Sequence, residues 1–149
     1  MNPTHFLYLS LLAALATPAI AQTSADSAAI RTTAHDYIDG WYTGDAARME
    51  GALHPHLAKR MVYLDPQGHS RLADITALDL VQSTRTGAGK IPATEQRDSV
   101  TIFDIFGNAA AVKIDATAWV DYLQLIRWNG RWVIVNVVWE NRPRAARTP

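Results

Sequence analysis

The sequence contains no cysteine. That excludes a disulfide framework, a thiolate metal site, a cysteine nucleophile and a lipid-modified cysteine anchor. An excess of charge of one sign is missing too. Lys and Arg total 14, Asp and Glu total 14, and the formal net charge is zero. Such a chain carries no electrostatic footprint for nucleic acid or an anionic membrane surface, and neither partner is expected. Gly-x-Ser-x-Gly, H-E-x-x-H and phosphate-loop spacings are all absent, so no nucleophilic hydrolase, zinc protease or nucleotide site announces itself.

One long apolar run stands at the start. "FLYLSLLAALA", Phe6 to Ala16, has the length of a signal-peptide core and is too short to span a bilayer. Pro18 breaks it, and Ala19-Ile20-Ala21 supplies an A-x-A cleavage site before Gln22. Residues 1–21 therefore read as a signal peptide, and the mature chain as periplasmic or secreted, with no membrane attachment after cleavage. Residues 22–26 read as a polar lead-in, 27–142 as one domain, and 143–149 as a flexible basic tail containing Arg144 and Arg147.

Hydrophobic residues make up 48% of the chain, enough to build a core without staples. Ile30, Ala34, Tyr37, Ile38 and Trp41 recur at helical spacing. Gly44 then suits a helix C-terminus and Asp45 an N-cap, so a second helix is expected over Ala46–Leu53. His54-Pro55 ends it. "KRMVYLDPQGH" predicts a short strand over Arg60–Leu64 closed by an Asp-Pro-x-Gly turn. "LADITALDLVQSTR" predicts a third helix, and "TGAGKIPAT" a plain connector.

From Glu95 to Glu140 the period becomes two. Gly107-Asn108 and Asn129-Gly130 mark hairpin turns. Three helices, a short strand and a long antiparallel meander make an α+β order, with helices packed on a curved antiparallel sheet. A two-residue turn at Asn129-Gly130 pairs Trp128 with Arg131 and, stepping outward, places Asp121, Trp119, Asn136 and Glu140 on one face. Polar groups gathered at one end of an apolar face are what a ligand pocket needs. Both faces of this hairpin are rich in apolar residues, which predicts a homodimer packed through the outer face of the sheet.

"YIDGWYTGDAARMEGALHPHLAKR", "WVDYLQL" and "NGRWVIVNVVWE" together resemble the nuclear-transport-factor-2-like (NTF2-like) superfamily, and within it the branch called "putative lumazine-binding". The resemblance covers residues 27 to 142. It implies a cone, three N-terminal helices against a curved sheet with a pocket at the wide end, and a domain that binds a small apolar or planar ligand. It settles no reaction, because the superfamily carries many functions on one scaffold.

A narrower resemblance is to the ketosteroid isomerases of that superfamily. Tyr37, ahead of Gly44-Asp45, is similar in type and spacing to their helical tyrosine. Asp65 in Asp65-Pro66-Gln67-Gly68 is similar to their general base, and Asp121 to their protonated aspartate. That trio implies proton transfer α to a carbonyl, with Asp65 as base and Tyr37 and Asp121 as oxyanion donors. The bland alternatives are a common turn for Asp65 and a core tyrosine at 37. Ligand contacts are expected at Trp41, His54, Trp119, Asn136 and Glu140. His54-x-His56 puts two imidazoles near each other, with Asp65 and His69 downstream, but Pro55 between the histidines and the lack of an H-E-x-x-H or cysteine motif argue against a metal site, and no metal or cofactor is expected. A third possibility is an interaction or dimerisation module whose cavity is filled by its own side chains.

Overall fold

The computed structural model describes residues 24–143. The leader read at 1–21 and most of the basic tail lie outside the described residues.

The first helix, α1 (Ser24–Thr43), takes up the last residues of the expected lead-in and buries Ile30, Ala34, Tyr37 and Ile38. Gly44, at φ +74°, ends it in the left-handed region that favours glycine. Asp45 caps α2 (Ala46–Ala52), accepting from the Ala47 and Arg48 amides at 3.1 Å each. A Cβ at Gly40 would lie 3.0 Å from the Met49 nitrogen, so α1 and α2 meet where glycine leaves room. Gly51 is different: it is exposed in α2, and a Cβ there would meet nothing within 4 Å. Gly51→Ala is expected to stabilise the domain by about 0.5–1 kcal/mol in urea unfolding, from lower backbone entropy in the unfolded chain.

Six strands follow: β1 (Leu53–Leu64), β2 (Ser70–Thr76), β3 (Val100–Phe106), β4 (Ala109–Asp115), β5 (Trp119–Trp128) and β6 (Arg131–Asn141), with α3 (Ala77–Arg85) between β2 and β3. They form one open sheet in the order β2-β1-β6-β5-β4-β3. Every pairing is antiparallel except β1 with β6, which is parallel. Val112, Ile114, Leu123, Leu125, Ile134 and Val137 face inward and meet the buried stripe of α1. Among the described residues no helix is long and apolar enough to cross a membrane.

Two expected elements move. The strand expected at Arg60 begins at Leu53, so His54-Pro55 lies inside β1. The helix expected from Leu72 begins at Ala77, because Ser70–Thr76 pairs with β1 as β2. Thr76 sets that boundary with a capping box: its hydroxyl accepts from the Asp79 amide at 3.2 Å, and the Asp79 carboxylate accepts from the Thr76 amide at 3.1 Å.

The last hairpin shows a subtler shift. Asn129 (φ 48°) and Gly130 (φ 78°) both adopt positive φ, as a two-residue turn requires. The expected register then holds from Trp128↔Arg131 to Leu125↔Ile134. A bulge leaves Val135 without an opposite residue, and pairing resumes at Gln124↔Asn136. Every β6 residue beyond it is turned to the other face relative to the two-residue-turn register. Asn136 now points outward and donates to Gln124 across the strands at 3.1 Å. Glu140 is exposed, and Trp139 turns inward.

Candidate functional site

The inward face of the sheet and the helices leave a cavity of about 350 Å³. Tyr37, Trp41 and Tyr42 enter from α1, Trp119 from β5 and Trp139 from β6. Ile75, Leu80 and Ile91 add aliphatic wall, and Ala88-Gly89 closes one side. That volume lies within the range of small-molecule pockets, about 300–1,000 Å³.

At its base sits a buried polar cluster. Asp121 is fully buried on β5. Its Oδ1 accepts from the Lys59 Nζ at 2.5 Å. Its Oδ2 accepts from the Tyr37 hydroxyl at 3.1 Å and from the Trp119 indole N–H at 2.7 Å. Lys59 also donates to the Tyr37 oxygen at 2.7 Å and lies 4.8 Å from the centre of a Trp139 ring. The carboxylate is satisfied from three sides, as a buried charge must be. Burial lowers the Lys59 amine from its ordinary value, with Asp121 pulling against the change. Burial, reinforced by the Asp121 charge, raises the Tyr37 hydroxyl well above the usual tyrosine value and keeps it protonated. Among the described residues, the Trp139 Nε1 is a buried nitrogen without a hydrogen-bond partner.

The walls are held from behind. Tyr42 donates its hydroxyl to the Arg97 carbonyl at 2.8 Å, accepts from the Thr117 amide at 2.9 Å, and tilts its ring against Trp119 with centroids 5.9 Å apart. Gly89 packs so closely on Trp41 that a Cβ there would fall 2.3 Å from the indole. The connector "TGAGKIPAT" is thus part of the pocket wall.

The structure brings Tyr37 and Asp121 together, with Trp41 and Trp119 beside them. Asp65 is elsewhere, at the tip of the β1–β2 hairpin. Its carboxylate is wrapped by its own turn, accepting from the Gln67 amide at 3.0 Å, the His69 amide at 2.9 Å and the Arg71 Nε at 3.0 Å. The His69 amide, first among these donors, holds Asp65 below the usual carboxylate value. The expected convergence of Asp65, Tyr37 and Asp121 therefore does not occur: a long β1 carries the turn past the cavity.

His54 borders a separate, smaller groove with Glu50, Pro55 and Val81, its ring edge-on to Trp128 at 4.9 Å. Asn136 and Glu140 face outward because of the bulge. On α1, His35 meets Asp98 at 2.9 Å and Asp39 accepts from Arg48 at 2.9 Å. With Asp98 they form the one group of three His and carboxylate residues close enough for an ion among the described residues, but Arg48 already occupies Asp39.

A profile of the family described as "Putative lumazine-binding" matches residues 25–140. The chain belongs to that family. Solved structures carry the same fold. An NTF2-like protein of unknown function from Shewanella baltica is 20% identical, with 80% of this chain and 95% of that one covered and a TM-score of 0.66. One from Methylobacillus flagellatus is 23% identical, covers 81% and 95%, and has a TM-score of 0.65. A protein from Nostoc punctiforme described as having a cystatin-like fold is 13% identical, covers 83% and 96%, and has a TM-score of 0.59. No curated protein matches the chain.

Lys59 and Trp139 are cavity residues that escape the sequence pattern. Lys59 falls one residue outside the expected strand. A strand started at Leu57 aligns Leu57 and Lys59 on one inward face, as observed. Trp139 is placed outward by a register that lacks the bulge.

Proposed function

We propose that the domain binds one small, flat, uncharged molecule in the cavity between its helices and sheet. The observation carrying this reading is the cavity itself: aromatic walls around a base on which Lys59 and Asp121 already balance each other. A charged ligand would add a buried charge without a counterion, whereas a neutral one costs no such penalty. Flat walls from Trp41, Trp119 and Trp139 suit a planar heterocycle. The family's description supports the same class, since lumazine is a flat bicyclic heterocycle bearing carbonyls. The unfilled cavity weighs against a pure interaction module. Proton transfer on the isomerase pattern lacks its base in this cavity, because Asp65 is held in the β1–β2 turn and does not line it.

The test is titration of tryptophan emission with lumazine and with neutral and carboxylated naphthalenes. Saturable quenching by neutral flat compounds, with weaker response to the carboxylated ones, is expected. No response to any of them would sink the reading.

The leader at Phe6–Ala16 and Ala19-Ile20-Ala21 supports export, so that binding takes place in the periplasm or outside the cell. Mass measurement of the mature N-terminus at Gln22 would agree; an intact Met1 would not.

A second copy is the proposed occupant of the outer sheet face. Phe103 and Tyr122 stack there at 6.5 Å between ring centroids, and Val138 stands opposite Tyr122. Lys113–Asp115 and Arg60–Asp74 pairs flank this strip, so both signs of charge are available to a two-fold partner. Tyr122→Glu is expected to shift light-scattering mass from dimer to monomer with the fold retained. A wild-type monomer at high concentration would overturn this.

A further inference from the structure

The amine at the base of the cavity offers chemistry that binding alone does not use. The chain has three lysines, Lys59, Lys90 and Lys113. Lys90 is exposed, and Lys113 pairs with Asp115 on the outer face at 3.4 Å. Lys59 alone lines the aromatic cavity. There its Nζ meets a carboxylate oxygen at 2.5 Å and a phenol oxygen at 2.7 Å, with its side chain only 7% exposed. Amine, carboxylate and phenol thus converge in an otherwise apolar space. Desolvation in an apolar pocket is a general way to make lysine nucleophilic, and the direction of the burial effect on Lys59 agrees.

We propose that Lys59 anchors its ligand covalently, its Nζ condensing with the aldehyde or ketone carbonyl of a flat molecule in the cavity to form an imine. The proposal rests on the binding reading above. In this step the ammonium passes a proton to Asp121, and the neutral nitrogen forms a bond to the carbonyl carbon. The oxygen of the tetrahedral adduct takes that proton from Asp121, directly or through the Tyr37 hydroxyl, which receives one proton as it gives another. Asp121 then moves a second proton from the adduct nitrogen to the new hydroxyl. The nitrogen lone pair forms the carbon–nitrogen double bond as the carbon–oxygen bond breaks and water leaves. Ammonium and carbonyl become protonated imine and water, with Asp121 again a carboxylate and no change of oxidation state. Trp119 and Tyr37 hold the carboxylate in reach of the nitrogen throughout. An apolar cavity also keeps bulk water from hydrolysing the imine.

The experiment incubates wild-type protein at neutral pH with 2-naphthaldehyde and sodium cyanoborohydride, then maps the reduced adduct by peptide mass spectrometry. Tryptophan quenching by 2-methylnaphthalene, which has no carbonyl, reports binding separately. The expected result is one adduct per chain at Lys59, formed at least about tenfold faster than at Lys90 or Lys113. Lys59→Arg, which keeps the cation beside Asp121, should lose that adduct. Quenching by both naphthalenes with labelling only at Lys90 and Lys113 would overturn the covalent proposal and leave the binding reading standing. Absence of both quenching and Lys59 labelling would overturn the two together.

Discussion

Lys59→Met is expected to cost the domain about 3–5 kcal/mol in urea unfolding. The reason is what remains rather than what is removed. Asp121 is fully buried, and without the Lys59 ammonium its charge keeps only the neutral donors Tyr37 and Trp119. The double variant Lys59→Met/Asp121→Asn should recover much of the loss, because a neutral amide can still accept from both donors and no charge is buried. A double variant no more stable than Lys59→Met would mean that packing of the lysine stem, not charge pairing, sets the cost.

Gly89→Ala has the second-largest expected effect. The backbone φ of Gly89 lies outside the positive region, so no strain in the chain itself is at issue. The added methyl carbon would sit 2.3 Å from the Trp41 indole. Either Trp41 swings into the cavity or the loop backs away from it. We expect a stability loss of about 1–3 kcal/mol from overpacking, together with at least about tenfold weaker binding of flat neutral ligands as the wall shifts. Unchanged quenching in this variant would place the ligand away from the Trp41 wall. The contrast with Gly51→Ala, where a methyl carbon meets open space and the sign reverses, separates cavity sterics from backbone entropy.

Much of the architecture is legible in the sequence because local chemistry and tertiary packing agree. The stripe from Ile30 to Trp41, the Gly44-Asp45 joint and the Asn129-Gly130 turn each act within a few residues, and the folded chain keeps all three. The β2 strand is hidden for a different reason. Ile75, Leu78 and Val81 fit one helical stripe, and only pairing with β1 places Ile75 in a strand instead. The Thr76-x-x-Asp79 capping box is the available signal for where the helix starts.

The cavity is half legible. Tyr37 and Trp41 follow from helix period, and Asp121 and Trp119 from strand alternation. Asn136 and Glu140 fail at a single bulged residue. Carrying the two-residue-turn register to the strand end would bury an amide and a carboxylate without partners, each costing several kcal/mol for the charge and somewhat less for the amide. The bulge instead lines up Gln124 with Asn136 on the solvated side and brings Trp139 into the apolar one. Matching polar residues across the hairpin is the signal that points to the slip. Lys59 is hidden because a lone lysine is almost always a surface residue; its place opposite Asp121 is a long-range fact that spacing along the chain does not carry.

Native mass spectrometry of the protein purified from its own source tests the central claim most directly. The expected result is a folded chain carrying one small molecule that Gly89→Ala protein retains far less well. A wild-type chain that flies with nothing bound, and shows no ligand-dependent difference from the variant, would contradict a ligand site in this cavity.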